Sequence, residues 1–154
     1  MKLTILCADD NHFNIEILRI SFIKLDLLDY CSFVFDGKEV VNWCKKNAER
    51  ARNEHEKQIV IVVTDLEMPH KNGLQAVKEV REHYNSALNA NESGFALKMP
   101  TFVLSSSRIN KGFEQTKDFD VDYIINKPPD DKELERIVLT AVRHGKTYYE
   151  RYVW

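Results

Sequence analysis

The sequence predicts an α/β fold: a single-domain, doubly wound sandwich in which five parallel strands alternate with five helices, in the sheet order 2-1-3-4-5. Two observations predict this fold. Short apolar runs alternate along the chain with longer segments whose apolar residues recur at helical spacing. The most apolar run, Ile59–Val63, is continuous and β-branched, as expected of a strand buried on both faces in the middle of a parallel sheet. The sequence therefore predicts three layers, with helices on both faces of one sheet.

Size and composition limit the classes of protein to consider. The chain has 154 residues, of which 44% are hydrophobic and 30% charged, and this suits one globular domain. A net charge of −2 does not favour nucleic acid or an anionic membrane, and no apolar run approaches the roughly 18 residues of a membrane span. The three cysteines have neither zinc nor disulfide spacing. We expect a cytoplasmic domain over residues 1–145, followed by an aromatic tail, 146–154, that extends or follows the last helix.

Turn residues and polar breaks delimit the individual elements. The predicted strands are Leu3–Ala8, Tyr30–Phe35, Ile59–Thr64, Thr101–Leu104 and Tyr123–Ile125. The predicted helices begin at Asn14, after Asp36-Gly37, at Gly73, near Arg108 and after Asp130. The stretch from Asn85 to Lys98 is rich in Asn, Ser and Ala and is longer than most connections, which predicts an exposed, mobile insertion.

The last helix has the clearest start. Asp130 is the predicted N-cap, and Glu133 three residues later completes a capping-box pattern. Gly145 is predicted to end the helix. The tail beyond it carries four aromatic residues, which continue the helix, pack back on the domain or dock on a partner: Tyr148, Tyr149, Tyr152 and Trp154.

Chemically active side chains follow the strands directly. Strands one and three are neighbours in the predicted order, so Asp9, Asp10 and Asp65 meet at the carboxyl edge of the sheet. Three close carboxylates repel one another unless a cation lies among them, and oxygen ligands of this kind suit Mg²⁺. Lys127 and Ser105 end strands on the other side of the same pocket. An ammonium and a hydroxyl beside a metal are the groups that neutralise and orient a phosphoryl group.

Taken in order, these residues resemble the receiver domain of two-component response regulators, which has a flavodoxin-like (CheY-like) fold. The resemblance covers nearly the whole chain. It rests on Asp9-Asp10, Asp65-Leu66-Glu67-Met68-Pro69 with Gly73, Ser105, and Lys127-Pro128. More narrowly, Asp9-Asp10-Asn11 followed by Asn14 is similar to the receivers of hybrid histidine kinases.

The resemblance implies a role for each acidic residue. Asp65 would be the nucleophile that takes a phosphoryl group from a phosphohistidine and forms an aspartyl phosphate. Asp10, Asp65 and the backbone carbonyl of Glu67 would ligate Mg²⁺, with Asp9 reaching the metal through water.

The remaining motif residues would bind and report the phosphoryl group. Lys127 would pair with the phosphoryl oxygens, and its bond to Pro128 is expected to be cis. Ser105 would swing toward the phosphoryl group. Many receivers carry an aromatic residue that turns inward on activation, but this chain has Ile124 at that position. Strand alternation places the adjacent Tyr123 on the opposite face, so the resemblance does not extend to the aromatic switch.

The function that follows is a phosphoacceptor switch rather than a turnover enzyme. We expect a histidine kinase or a histidine phosphotransfer protein as phosphodonor and a downstream effector as target, without nucleic acid or membrane insertion. One alternative is a degenerate receiver that binds partners without being phosphorylated. Another is a phosphatase or phosphotransferase of the haloacid-dehalogenase type, but such an enzyme needs an aspartate two residues after the nucleophile, where this chain has Glu67.

Overall fold

The computed structural model describes residues 1–88, 95–107 and 119–152. The strands are β1 (Lys2–Ala8), β2 (Cys31–Val34), β3 (Gln58–Asp65), β4 (Thr101–Ser105) and β5 (Tyr123–Ile125). The described α-helices are α1 (His12–Lys24), α2 (Gly37–Asn53), α3 (Gly73–Leu88) and α4 (Asp131–Tyr152), with a 3₁₀ turn at Leu28–Tyr30. The helix predicted near Arg108 lies outside the described residues. None of the described helices combines the length and the apolar character that a membrane span needs.

All five strands are parallel and form one sheet in the order β2-β1-β3-β4-β5, which confirms the predicted fold class and strand order. Two separate cores cover its faces, because successive side chains of a strand point to opposite sides. Along β3, Ile59, Ile61 and Val63 pack toward α1 and α4. Val60 and Val62 pack toward α2 and α3. Burial of each such side chain contributes on the order of 1.5–3 kcal/mol, so the central strand is held firmly.

Side-chain caps set the starts of the helices. The Asn11 side chain accepts hydrogen bonds from the backbone N–H groups of Phe13 (2.8 Å) and Asn14 (3.2 Å). Helix α1 therefore begins at His12, two residues before the predicted start. The predicted N-cap of the last helix is confirmed, because Asp130 Oδ1 accepts the N–H groups of Lys132 (2.8 Å) and Glu133 (3.3 Å).

The predicted helix stop at Gly145 is wrong. Helix α4 continues through this glycine to Tyr152. A Cβ atom at position 145 would collide with Cγ1 and Cδ1 of Ile59 on β3, so the missing side chain lets the helix lie close to the sheet. Beyond it, Tyr149 is buried, and its hydroxyl donates to the Gln58 carbonyl (2.6 Å) and accepts the Gln58 N–H (3.0 Å). The tail up to Tyr152 thus continues the helix and packs on the amino end of β3.

The predicted exposed insertion is also partly wrong. Helix α3 extends to Leu88, beyond the predicted boundary at Asn85, and residues 89–94 lie outside the described part of the chain. Leu97 is buried against the α2–α3 core, and the Lys98 N–H donates to the Tyr149 hydroxyl (3.4 Å). The α2–α3 core therefore supplies the apolar contact, and the extended last helix the polar contact, that hold the segment just before β4.

Candidate functional site

The carboxyl edge of the sheet brings the predicted site residues together. Asp9 follows β1 directly, Asp65 is the last residue of the neighbouring β3, and Lys127 lies two residues beyond β5. The Lys127 Nζ atom is 2.7 Å from Asp9 Oδ2 and 2.8 Å from Asp65 Oδ1. One ammonium therefore bridges two carboxylates from different strands.

Asp10 completes an acidic cluster with these two residues. Asp9, Asp10 and Asp65 each offer a carboxylate oxygen, and the three atoms all lie within 4.8 Å of one another. Asp9 is buried, Asp65 is partly buried and Asp10 is exposed, so the cluster is closed on the protein side and open to solvent on the other. Hard oxygen donors with room for water on one side are what Mg²⁺ prefers, so these residues fit that ion. Glu67, which is exposed, lines the same pocket.

Burial, nearby charges and hydrogen bonds together raise the pKa values of both Asp65 and Lys127. Burial raises the pKa of Asp65, the hydrogen bond from Lys127 acts against that shift, and the nearby charge of Asp9 adds to it. The Leu66 N–H donates to Asp65 Oδ1 at 2.9 Å. Burial alone would lower the pKa of Lys127, but its bonds to Asp65 and Asp9 prevail and hold that pKa above its usual value. The ammonium therefore stays charged beside the carboxylates.

The loop after β3 is held against the strand by a glycine. A Cβ atom at Gly73 would collide with the backbone carbonyl oxygen of Asp65, and the Gly73 N–H donates to the Leu66 carbonyl at 2.8 Å. Only a residue without a side chain allows this close return of the backbone. Gly73 thereby positions the turn that carries Glu67 at the rim of the pocket.

Ser105 lies beside Asp65 in the sheet but opens into an adjacent cavity. The β3–β4 register pairs Asp65 with Ser105, which is buried. The acidic cluster, Glu67 and Lys127 line one pocket of about 430 Å³. Ser105 lines a second cavity that shares Asp9 and Lys127 with the first. Ser105 thus lies next to the site but does not line the pocket of the three acids.

Other predicted features of the site are present. The Lys127–Pro128 peptide bond is cis, as expected. Ile124 packs against the α2–α3 core and Tyr123 against the α1–α4 core, on opposite faces of β5. Tyr123 therefore lies on the face of β5 opposite to Ile124, as strand alternation predicts.

Three polar residues of the site received no role from the sequence. The Asn11 N–H donates to Asp9 Oδ1 at 2.9 Å, so this residue both caps α1 and orients the buried acid. Asn14 and Ser106 line the pocket. The sequence signal that could have identified these residues was their closeness to Asp10 and Ser105, since residues that flank a strand-end site commonly share its rim.

Comparison with known proteins identifies the family. The chain matches the family model described as the response regulator receiver domain over residues 5–139. It therefore belongs to the response regulator receiver family of two-component systems. No curated protein matches the chain in sequence.

Solved structures support the same fold at low sequence identity. A signal receiver domain of an HD domain-containing protein from Pseudomonas fluorescens Pf-5 is 17% identical, with a TM-score of 0.59, over 97% of this chain and 93% of that one. The receiver domain of the histidine kinase CKI1 from Arabidopsis thaliana, complexed with Mg²⁺ and BeF₃⁻, is 16% identical, with a TM-score of 0.65, over 95% and 90%. A match to the Saccharomyces cerevisiae complex of the histidine phosphotransfer protein Ypd1 with the Ssk1 receiver domain is 19% identical, with a TM-score of 0.60, over 87% and 84%.

Proposed function

We propose that Asp65 accepts a phosphoryl group from the phosphohistidine of a histidine kinase or a histidine phosphotransfer protein, in the presence of Mg²⁺, and that the phosphorylated domain signals to a protein effector. The observation that carries this proposal is the contact of the Lys127 ammonium with Asp65 at 2.8 Å, in a pocket that also holds Asp9 and Asp10. The family membership and the Mg²⁺–BeF₃⁻ complex of a similar receiver support it.

Among the residues that the structure describes, the hydrogen bonds of Asp65 engage one of its two carboxylate oxygens. Oδ1 is engaged by Lys127 and by the Leu66 N–H, so Oδ2 is the oxygen that attacks phosphorus. In the transfer an O–P bond forms at Asp65 while the P–N bond of the donor breaks, and the imidazole leaves. The transition state is loose, so catalysis depends on position and on neutralisation of charge, and Lys127 supplies a positive charge beside the transferred group.

The three acids would hold the metal together with the backbone carbonyl of Glu67. When bound, Mg²⁺ would neutralise phosphoryl oxygens and so offset the repulsion between an anionic donor and an anionic acceptor. Asp9 is also tied to Lys127 and to the Asn11 N–H, which orients its carboxylate before any ligand arrives.

The surface of helix α1 indicates that the phosphodonor is a protein. Its inward side is apolar, but Phe13, Ile20 and Ile23 are also exposed, with 71%, 50% and 54% of their surface accessible. Phe13 and Ile17 line the cavity that contains Lys127 and Ser105, so this apolar surface continues into the site. Because Asp65 lies inside a pocket, the donor imidazole must enter it and the protein that carries the imidazole must cover the rim. We assign the α1 surface, Phe13, Ile17 and Ile20, to that contact.

The first test is intact mass after incubation with Mg²⁺ and acetyl phosphate. We expect a labile phosphoryl adduct of about 80 Da in the wild-type domain and none in Asp65→Asn or without the metal. An equal adduct in the Asp65→Asn variant would overturn the assignment of the acceptor. If the wild type forms no adduct and does not bind beryllofluoride either, the chain is a receiver that acts without phosphorylation.

A second test separates the chemistry from the docking. Phe13→Asp with Ile20→Asp is expected to slow transfer from a phosphorylated histidine phosphotransfer protein by about tenfold or more, since apolar anchors at interfaces are worth on the order of 1–2 kcal/mol each. The rate with acetyl phosphate should fall much less, because this small donor needs no contact with the α1 surface. Leu139→Asp is the matched control, because Leu139 is an equally exposed apolar residue on another helix. Equal transfer rates in the wild type, the double variant and the control would show that the α1 surface does not contact the phosphodonor.

A further inference from the structure

Two of the three cysteines are neighbours in space. The β1–β2 register pairs Ile5 with Cys31 and Cys7 with Phe33, so the cysteines lie diagonally on adjacent strands. Both side chains belong to the α1–α4 core, and the Cys31 thiol donates to the Leu27 carbonyl at 3.4 Å. The third cysteine, Cys44, is buried in the other core.

The surroundings of Cys31 favour its thiolate. The residue is half-buried at the first position of the edge strand β2, so part of it is open to solvent. The adjacent Cys7 thiol lowers the pKa of Cys31, and although burial opposes this shift, the nearby Arg19 guanidinium adds to it. Arg19 is fixed in place by its stacking on the Phe33 ring, 4.4 Å from the centroid. Burial raises the pKa of Cys44 to about 12, which makes that thiol unreactive.

We propose that Cys31 and Cys7 form a reversible dithiol switch that is oxidised by hydrogen peroxide. The Cys31 thiolate attacks one peroxide oxygen, the O–O bond breaks, and protonation of the leaving hydroxide gives water and Cys31 sulfenic acid. The Cys7 sulfur then attacks the Cys31 sulfur, which releases a second water and leaves a disulfide. The two thiols lose two electrons and the peroxide gains them. A dithiol reductant reverses the reaction by thiol–disulfide exchange.

Formation of this disulfide requires a small movement of β2. Diagonal neighbours in a sheet have Cα atoms about 7–8 Å apart, whereas a disulfide normally accepts no more than about 6.8 Å. The strand is free to make that movement, because it has only four residues and pairs with β1 alone. The movement reaches the acidic cluster, since the Asp9 N–H donates to the carbonyl of Val34, the last residue of β2, at 3.3 Å. We therefore infer that oxidation displaces Asp9 and slows phosphorylation, a consequence that rests on the proposed function.

The chemical part is tested by a count of thiols. The full chain is treated with hydrogen peroxide, denatured and alkylated, and its peptides are mapped without reductant. We expect the free thiols to fall from three to one, with Cys44 remaining, a loss of about 2 Da, and a peptide pair joined through Cys7 and Cys31 that dithiothreitol releases. The Cys44→Ser variant should still form the bridge. In the Cys7→Ser variant dimedone should trap Cys31 as its sulfenic acid, and in Cys31→Ser the other two thiols should persist.

Three results would overturn the switch: all thiols survive, Cys44 is lost as fast as Cys31, or the disulfide joins only separate chains.

The functional part is tested by acetyl phosphate labelling of the oxidised and reduced protein. We expect at least a threefold slower rate after oxidation, and no change in a Cys7→Ser, Cys31→Ser double variant. Equal rates in both redox forms would refute the link to Asp9. No labelling of either form would instead refute the proposed function and leave the thiol result intact.

Discussion

Replacement of Asp10 by Asn is expected to stabilise the metal-free domain. Lys127 contributes one positive charge, and it contacts Asp9 and Asp65. Within residues 1–88, 95–107 and 119–152 no cation forms an ion pair with Asp10, although its carboxylate oxygen lies within 4.8 Å of the other two. Its negative charge therefore adds repulsion that the fold must overcome.

The distance sets the size of the effect. Two like charges 4.8 Å apart repel by about 0.9 kcal/mol at the dielectric constant of water and by about 3.5 kcal/mol at an effective value of 20. Asp10 is exposed and Lys127 offsets part of the field, so the smaller value applies. We expect Asp10→Asn to raise the free energy of unfolding by about 1 kcal/mol in low salt, and by less as ionic strength rises.

The assay is urea unfolding near neutral pH, with a chelator and then with Mg²⁺. Bound Mg²⁺ stabilises the wild-type domain by mass action, by about 2.7 kcal/mol at a concentration of one hundred times Kd. The variant lacks one of the proposed ligands and should gain much less stability from the metal, so the order of stability should reverse when Mg²⁺ is added. The opposite signs of the two effects distinguish loss of repulsion from a general change in packing.

Glu135→Gln is the matched control, because it removes one negative charge from an exposed position on α4, remote from the cluster. It should change neither measurement by more than a few tenths of a kcal/mol, as is usual for surface substitutions. If Asp10→Asn lowers the stability in chelator, or leaves it equal to that of Glu135→Gln, the repulsion inferred from the geometry is refuted.

Two further predictions concern the extended last helix. Gly145→Ala gains about 0.8–1.0 kcal/mol of helix propensity, but overpacking against Ile59 costs about 1–3 kcal/mol, so the free energy of unfolding should fall. In an Ile59→Ala background the same change should stabilise, and an absence of this sign reversal in urea unfolding would contradict the contact. Burial raises the pKa of Tyr149 above its ordinary value of 10.0, so the neutral phenol stabilises the fold below that pH, and the contribution is lost as pH rises through the folded pKa. Tyr149→Phe should cost about 1–2 kcal/mol near neutral pH, because the Gln58 backbone groups lose their partner, and should flatten the alkaline loss of stability; an unchanged alkaline slope would exclude Tyr149 as its source.

Much of the fold was predictable because its signals are local. The continuous β-branched run of β3 and the helical period of the segments around it identify the layers without knowledge of any distant contact. Parallel strands align their carboxyl ends, so the strand-end positions of Asp9, Asp10 and Asp65 were enough to predict the acidic cluster. The helix start at Gly73 and the Asp130 cap could likewise be inferred from neighbours a few residues away.

The tertiary structure decided the features that depend on distant residues. Gly145 has the sequence signature of a helix end, but its environment is the side chain of Ile59, and a contact across the sheet outweighs the local preference. The Tyr149 hydroxyl forms hydrogen bonds with the backbone groups of Gln58, which lies 91 residues earlier, and no local pattern reveals this contact. The register of β1 and β2 places Cys7 against Cys31, although 24 positions separate them in the sequence. Local periodicity determines which elements form, whereas packing between them determines where a helix ends, which polar groups are satisfied and which thiols meet.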